Sequence, residues 1–115
     1  MSFTIRRDEG TLIAKLDGRL EGRSSLSLQK TLEEEIKPTD KALILNMENL
    51  SYISSSGLRV VAIMFNRSKA TGMRLAICSM SDSITKVFTI SGFHMLIPVF
   101  DTQEEARASV TEPIQ

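Results

Sequence analysis

The pattern of apolar and polar positions begins with two segments that alternate in the manner of half-buried strands. Apolar residues occur at every second position from Phe3 to Ile5 and again from Leu12 to Leu16. The residues between them, Asp8-Glu9-Gly10, are typical of a tight turn. The pattern therefore predicts an antiparallel hairpin at the start of the chain.

The next apolar positions follow helical spacing. We predict a turn over residues 17–22, followed by a helix that Ser24 or Ser25 caps and that runs to about Lys37, because Pro38 stops it. The apolar residues of this segment recur every four positions and form its buried stripe: Leu28, Leu32 and Ile36.

The most apolar part of the chain lies in its centre. Residues 42–45 form a continuous apolar run, which is typical of a strand covered on both faces. We expect a loop over residues 46–53 and then a helix opened by Ser54-Ser55-Ser56-Gly57, since serine is a favoured N-cap. Seven of the eight residues from Leu58 to Phe65 are apolar, so this helix is predicted to be largely covered.

The remaining pattern continues the alternation of strands and helices. Gly72 suits the end of the central helix, and the later segments are predicted in this order: a strand over 74–78, a helix from 81–83 to 91–93, a strand over 96–100, a helix capped by 101–102, and a frayed tail from Thr111. The order ββαβαβαβα predicts an α/β fold with a mostly parallel sheet, an antiparallel N-terminal edge strand and covering helices.

Length and charge narrow the class of protein. The 115 residues are predicted to form one domain, 1–115, with 42% apolar residues. Fourteen basic and 14 acidic residues balance, which argues against direct binding of nucleic acid. No apolar run is long enough to span a membrane, and the single cysteine, Cys78, fits a reduced compartment, so we expect a cytoplasmic protein.

The three consecutive serines are the main candidate for chemistry. A helix N-terminus carries free N–H groups and a partial positive charge, so a phosphate on Ser54, Ser55 or Ser56 would be tolerated there. A simple capping role for Ser54 or Ser55 explains the same residues. Enzymatic chemistry has little support, because Gly-x-Ser-x-Gly and phosphate-loop motifs are missing and His94 is the only histidine. We expect no metal and no cofactor.

The string from Asn46 to Leu58, NMENLSYISSSGL, resembles the signature of the STAS family, the sulfate-transporter and anti-sigma-antagonist domains. Gly18-Arg19-Leu20-Glu21 and residues 83–93 also resemble family segments, and the resemblance covers roughly residues 3 to 109. It implies a STAS-like fold. In the anti-sigma factor antagonists of this family, the serine directly after an Asp is phosphorylated. That serine is Ser55 here, with Ser56 and Ser54 as runners-up, and the family's Asp is replaced by Ser54.

The resemblance implies a regulatory binding module that is not an enzyme. Its unphosphorylated form would bind an anti-sigma factor that is also a serine kinase, and a serine phosphatase would reverse phosphorylation of Ser55. We expect a monomer or weak dimer, with Met47 adding apolar contact to a partner-binding face formed by the following residues: Glu21, Asn46, Tyr52, Ser54, Ser56, Gly57 and Arg59.

Several alternatives remain open from the sequence. Glu21 is equally explained as a surface acid in a turn, and Tyr52 as a half-buried loop anchor. Within the same fold, the chain is alternatively a cytosolic STAS subunit of a lipid or anion transporter. A small serine hydrolase using Ser55 is the alternative from a different class of protein.

Overall fold

The computed structural model describes residues 1–111 and contains one mixed sheet covered on both faces by helices. The strands are β1 Ser2–Asp8, β2 Thr11–Leu20, β3 Ala42–Ile53, β4 Arg74–Cys78 and β5 Val99–Phe100. The helices are α1 Gly22–Glu35, α2 Ser55–Thr71, α3 Asp82–Ser91 and α4 Gln103–Thr111, with a short 3₁₀ turn at Phe93–Met95. The predicted order ββαβαβαβα is confirmed.

The strands lie in the sheet in chain order, β1-β2-β3-β4-β5. β1 pairs antiparallel with β2, while β2–β3, β3–β4 and β4–β5 are parallel. The predicted antiparallel edge strand is therefore confirmed. Because each parallel pair is joined through a helix, the carboxyl ends of the strands meet the amino ends of the helices at one end of the molecule.

The two faces of the sheet pack against different helices. Successive strand residues point to opposite faces. Leu43 and Leu45 belong to the large cluster with side chains of α1, α2 and α3, whereas Ile44 packs with Ala106 of α4 in a smaller cluster. The continuous apolar run that predicted a doubly covered strand is thus buried on both sides. Of the apolar residues on α2, Val60, Val61 and Met64 are buried, while Leu58 and Phe65 are half-buried and pack against the core.

Two segments predicted as turn and loop are strand instead. β2 continues through residues 17–20, and β3 continues through residues 46–53, because the two extensions pair with each other. Leu20 and Leu50 turn inward and are buried, which holds these extensions on the core. Gly18, at φ 101°, lies beside one of two register shifts in this ladder, so the strand bends where the sequence predicted a turn.

The remaining differences concern where elements begin and end. α1 begins at Gly22 with Glu21 as its N-cap, and Ser24 is the third residue of the helix, where it completes a capping box with Glu21 and is not the cap itself. The helix ends at Glu35. β5 is confined to Val99–Phe100, since Pro98 has no N–H to donate to β4. Thr111 ends α4, and the rest of the predicted frayed tail lies outside the described residues.

Candidate functional site

The candidate site is the place where β2 and β3 end and α1 and α2 begin. The two strands end side by side, with Leu20 paired to Ile53. The backbone N–H of Ser54 donates to the carbonyl of Leu20 over 3.0 Å. This bond fixes the start of α2 against the end of β2, so the chain leaves β3 and enters α2 in one defined geometry.

Ser54 is the N-cap of α2, as predicted. Its hydroxyl oxygen accepts from the Gly57 N–H at 3.3 Å, and the hydroxyl donates to the Leu20 carbonyl at 3.2 Å. The Ser54 hydroxyl also lies 2.8 Å from that of Ser56. Ser54 therefore satisfies a free N–H of the helix and links three elements at once.

Ser56 connects the two helices. Its hydroxyl oxygen accepts from the backbone N–H of Gly22 at 3.1 Å and lies 3.1 Å from the hydroxyl of the buried Ser25. Together Ser25, Ser56 and Ser54 form a continuous chain of hydroxyl groups between α1 and α2. Both serines of the triplet that flank Ser55 are thus engaged in holding the structure together.

Ser55 differs from its two neighbours. It is the first residue of α2 and is exposed. Within residues 1–111, its hydroxyl makes no hydrogen bond, while those of Ser54 and Ser56 make several. The structure therefore presents a single accessible, unengaged hydroxyl at this helix start.

Gly57 is required by close packing and not by its backbone angles. A Cβ atom at this position would lie 2.7 Å from Ile53 Cγ1 and 2.9 Å from the carbonyl oxygen of Leu20. A Cβ atom essentially never lies within 3.0 Å of a non-bonded heavy atom. The glycine lets the first turn of α2 sit directly on the ends of β2 and β3, and it is itself buried.

Beside the serines lies a surface cluster that the sequence only partly identified. The Arg19 guanidinium donates to Glu21 over 3.1 Å, and its central carbon lies 4.2 Å from the centre of the Tyr52 ring. Tyr52 is 40% exposed, so part of this residue is accessible on the surface. Arg19 is absent from the predicted site residues, although it lies at the end of β2 only two residues before Glu21, the N-cap of α1, with which it pairs.

Not all predicted site residues come together. Glu21 and Tyr52 lie beside the serines, and Arg19 contacts both of them. Arg59 is exposed one turn further along α2. Asn46 is only 3% exposed, and its amide donates to Gln103 of α4 at 2.8 Å, on the opposite face of the sheet. Met47 is fully buried and cannot supply the surface contact expected of it.

The described residues offer little for other chemistry. The only histidine, His94, is exposed on the 3₁₀ turn, with Nδ1 3.4 Å from the carbonyl oxygen of Phe88. Across residues 1–111 there is no group of three His, Cys, Asp or Glu side chains that could hold a metal ion. In the same range, no helix combines the length and apolar character that crossing a membrane requires.

Comparison with known proteins agrees with this architecture. The family model described as STAS domain matches residues 2–106. A protein of Bordetella bronchiseptica named as an anti-sigma factor antagonist, BtrV, is 31% identical over 109 residues, which cover 95% of this chain and 94% of that protein.

The solved structures that share the fold include two of anti-sigma factor antagonist proteins. The unphosphorylated form of the anti-sigma factor antagonist SpoIIAA superposes with a TM-score of 0.78 at 21% identity, covering 98% of this chain and all (100%) of the other. The phosphorylated form of the Bacillus protein SpoIIAA gives a TM-score of 0.76 at 24% identity, with 95% and 99% of the two chains covered. At these identities the likeness shows the fold alone.

Proposed function

The chain belongs to the STAS domain family and is related to anti-sigma factor antagonists, and from that premise we propose that it is a phosphorylation-controlled partner of a serine kinase. Its unmodified form binds an anti-sigma factor that also has kinase activity, in the cytoplasm. Phosphorylation of Ser55 ends the binding, and a serine phosphatase restores it. In this role the protein is a kinase substrate and a binding module.

The observation that carries this proposal is the isolation of the Ser55 hydroxyl. Ser54 and Ser56 hold the junction of α1 and α2, whereas Ser55 is exposed and unengaged within the described residues. A kinase could modify Ser55 without breaking a structural hydrogen bond. Modification of Ser54 or Ser56 would disrupt the hydroxyl chain, so we rank both below Ser55 as acceptors.

The chemical step needs a nucleotide that the kinase supplies. The Ser55 hydroxyl oxygen forms a bond to the terminal phosphorus of a nucleoside triphosphate, and the bond from that phosphorus to the bridging oxygen breaks. The hydroxyl proton passes to a base on the kinase, and a nucleoside diphosphate leaves. All other catalytic groups belong to the kinase, so this chain needs to provide only an accessible hydroxyl.

We further propose that the partner contacts the surface around Ser55. Glu21, Tyr52 and Arg59 are exposed there, and Arg19 joins the first two through its ion pair and its position over the ring. Aromatic and arginine side chains are the residues that most often contribute binding energy at interfaces. Ser54, Ser56 and Gly57 would act indirectly, by fixing the start of α2.

Phosphorylation would act through charge at this surface. A phosphoserine carries about −1.5 to −2 charges at pH 7. At a helix N-terminus it is compatible with folding, but a partner that covers it must remove its water, which is costly for an unpaired dianion. We therefore expect loss of binding with little change in the backbone of this protein.

The experiment is calorimetric titration of four forms against the cognate kinase: unmodified, phosphorylated at Ser55, Ser55→Ala and Ser55→Asp. The unmodified and Ser55→Ala proteins should bind, and the other two should bind at least about tenfold more weakly, which corresponds to about 1.4 kcal/mol. Equal affinity of the phosphorylated and unmodified forms would refute the switch. Capture of a permease with its ATPase in place of a kinase would favour the transporter-subunit alternative.

The hydrolase alternative gains no support from the geometry. A serine nucleophile needs a neighbouring base. The chain has one histidine, and it lies at the carbonyl of Phe88, beyond the far end of α3. The Ser55 hydroxyl has no base among its contacts in the described residues.

A further inference from the structure

Arg59 is a charged side chain that makes no evident stabilising contact in the described part of the chain. It lies on the first half of α2, where its neighbours Leu58, Val60 and Val61 are apolar and at least half-buried, yet Arg59 itself is exposed. In the part of the chain that the structure describes, its guanidinium makes no ion pair, hydrogen bond or aromatic contact, unlike that of Arg19.

Arg59 is placed where its side chain can reach a group attached to Ser55. Ser55 is the first residue of α2, and Arg59 follows it by four residues. Side chains four residues apart lie on the same face of a helix, with their Cβ atoms about 5–6 Å from each other. Both residues are exposed, so both side chains are accessible from solvent on this part of α2.

We propose that Arg59 binds the phosphate group on Ser55 as an ion pair within α2. The proposal rests on the phosphorylation of Ser55 argued above, and it assigns to Arg59 the regulation of that same site. A guanidinium presents its N–H groups as a planar fork that matches phosphate oxygens, and such charge-assisted bonds are among the strongest hydrogen bonds in proteins. The order along the helix is also favourable, because the anion lies at the N-terminus and the cation follows it.

The other charges near the site are less suited to this role. Arg19 is already held by Glu21 at 3.1 Å and lies over Tyr52. The same ion pair offsets the charge of Glu21, so Glu21 repels a phosphate on Ser55 less than its position alone suggests. Arg23 is exposed on the first turn of α1, whose Gly22 contacts Ser56, and it is the remaining competitor for the phosphate.

Pairing of Arg59 with a phosphate on Ser55 would change two properties of the partner-binding surface, its charge and the availability of Arg59. In the unmodified protein Arg59 presents a free positive charge beside Ser55, available to an acidic group on the kinase. Once Ser55 carries a phosphate, the same guanidinium turns to the phosphate and is withdrawn from the partner. The site therefore changes from positive to negative, and it also loses a side chain that could contact the partner.

The test uses full-length protein with phosphoserine inserted at position 55 during translation, so that no kinase is required. Phosphorus NMR at low ionic strength measures the second pKa of the phosphate, which is about 6 in an unperturbed phosphoserine. A nearby guanidinium favours the dianion and lowers this pKa. We expect Arg59→Gln to raise it by about 0.2–0.4 units, with Arg59→Lys intermediate because an ammonium lacks the fork.

Two matched variants decide whether the effect is specific. Arg6→Gln removes an exposed arginine on β1 and reports the effect of net charge alone, while Arg23→Gln tests the competitor on α1. A shift for Arg59→Gln no larger than that for Arg6→Gln would overturn the proposal, and so would a larger shift for Arg23→Gln. A phosphorylation-dependent slowing of exchange at the Arg59 Nε–H would provide independent support.

This experiment can fail separately from the proposed function. If the NMR shift is present but the phosphorylated protein binds the kinase as well as the unmodified one, the ion pair stands and the partner switch is wrong. If binding is lost on phosphorylation but Arg59→Gln leaves the pKa unchanged, the switch stands and the phosphate is not held by Arg59.

Discussion

The two ends of the parallel strands are held together by different chemistry. At the carboxyl ends of β2 and β3, neutral hydroxyl and backbone groups connect Leu20, Ser54 and Ser56 over 2.8–3.2 Å. At the amino ends of the same strands, the guanidinium of Arg7 donates two hydrogen bonds, of 2.8 and 2.9 Å, to the carboxylate of Asp40. That carboxylate also accepts from the Lys37 N–H at 2.8 Å, and its side chain is fully shielded from solvent.

The two ends also differ in where their charged side chains lie. At the amino ends of the strands, the ion pair between Arg7 and Asp40 holds the loop before β3 against β1. At the serine end, the network that holds the structure is neutral, and the charges of Arg19, Glu21 and Arg59 lie on the surface. The phosphate proposed for Ser55 would therefore meet exposed charges, and it would leave the hydrogen bonds of the junction intact.

The largest expected effect on stability is from Gly57→Ala. The added methyl group would lie 2.7 Å from Ile53 and 2.9 Å from the Leu20 carbonyl, and the latter is backbone that cannot move cheaply. Overpacking of this kind should lower the free energy of unfolding by about 3 kcal/mol. Urea unfolding measures the change, and Ser55→Ala, two residues away but exposed, is the control.

A small change in the free energy of unfolding for Gly57→Ala would show that the carboxyl ends of β2 and β3 are not rigidly packed against α2. It would mean that α2 can shift away from β2 and β3, so that the serine junction is adaptable and not fixed. Binding of the kinase by the variant would then be the informative measurement, because a shifted helix start would also displace Ser55.

The second prediction concerns the charged end. The hydrogen bond from Arg7, opposed by burial and supported by the Lys37 N–H, lowers the pKa of Asp40 below its ordinary value. The folded-state pKa is therefore below that of the unfolded chain, about 3.9. The contribution of Asp40 to stability is complete above that value and is lost as the pH falls through the folded-state pKa.

Asp40→Asn should cost about 2 kcal/mol at neutral pH, less than a fully buried pair, because Arg7 remains 30% exposed and can be hydrated. The cost should shrink as the pH is lowered, since Asp40 is then protonated in the wild type as well. Urea unfolding at several acidic pH values measures both. Asp8→Asn, which removes the more exposed partner of Arg107, should cost less than about 1 kcal/mol.

The sequence predicted the element types well because local signals and packing agree in this chain. Ser54 and Ser81 cap helices as expected, and Gly72 and Gly92 end them in left-handed conformations. The apolar run at 42–45 correctly indicated a strand buried on both faces. In each case a short-range hydrogen bond or a continuous apolar segment is enough to predict the element, and distant contacts need not be known.

The failures occur where a distant contact overrides the local pattern. Residues 17–20 and 46–53 look like turn and loop because of their polar residues, but each becomes strand by pairing with the other. For the same reason the sequence pattern predicts Asn46 on the candidate surface, whereas the register of β3 turns it toward Gln103 of α4. The partnership of Arg19 with Tyr52 likewise depends on the β2–β3 register, which the sequence alone does not define.

The smallest expected effect separates two adjacent serines. Ser54→Ala removes the N-cap acceptor of the Gly57 N–H and the contacts to Leu20 and Ser56, and should cost about 1 kcal/mol of unfolding free energy. Ser55→Ala removes a hydroxyl without a partner in the described residues and should change stability by less than about 0.5 kcal/mol. Chemical unfolding of both variants beside the wild type gives the comparison directly. An equal cost at the two positions would show that Ser55 is also part of the structural network, and the basis for choosing it as the phosphate acceptor would be lost.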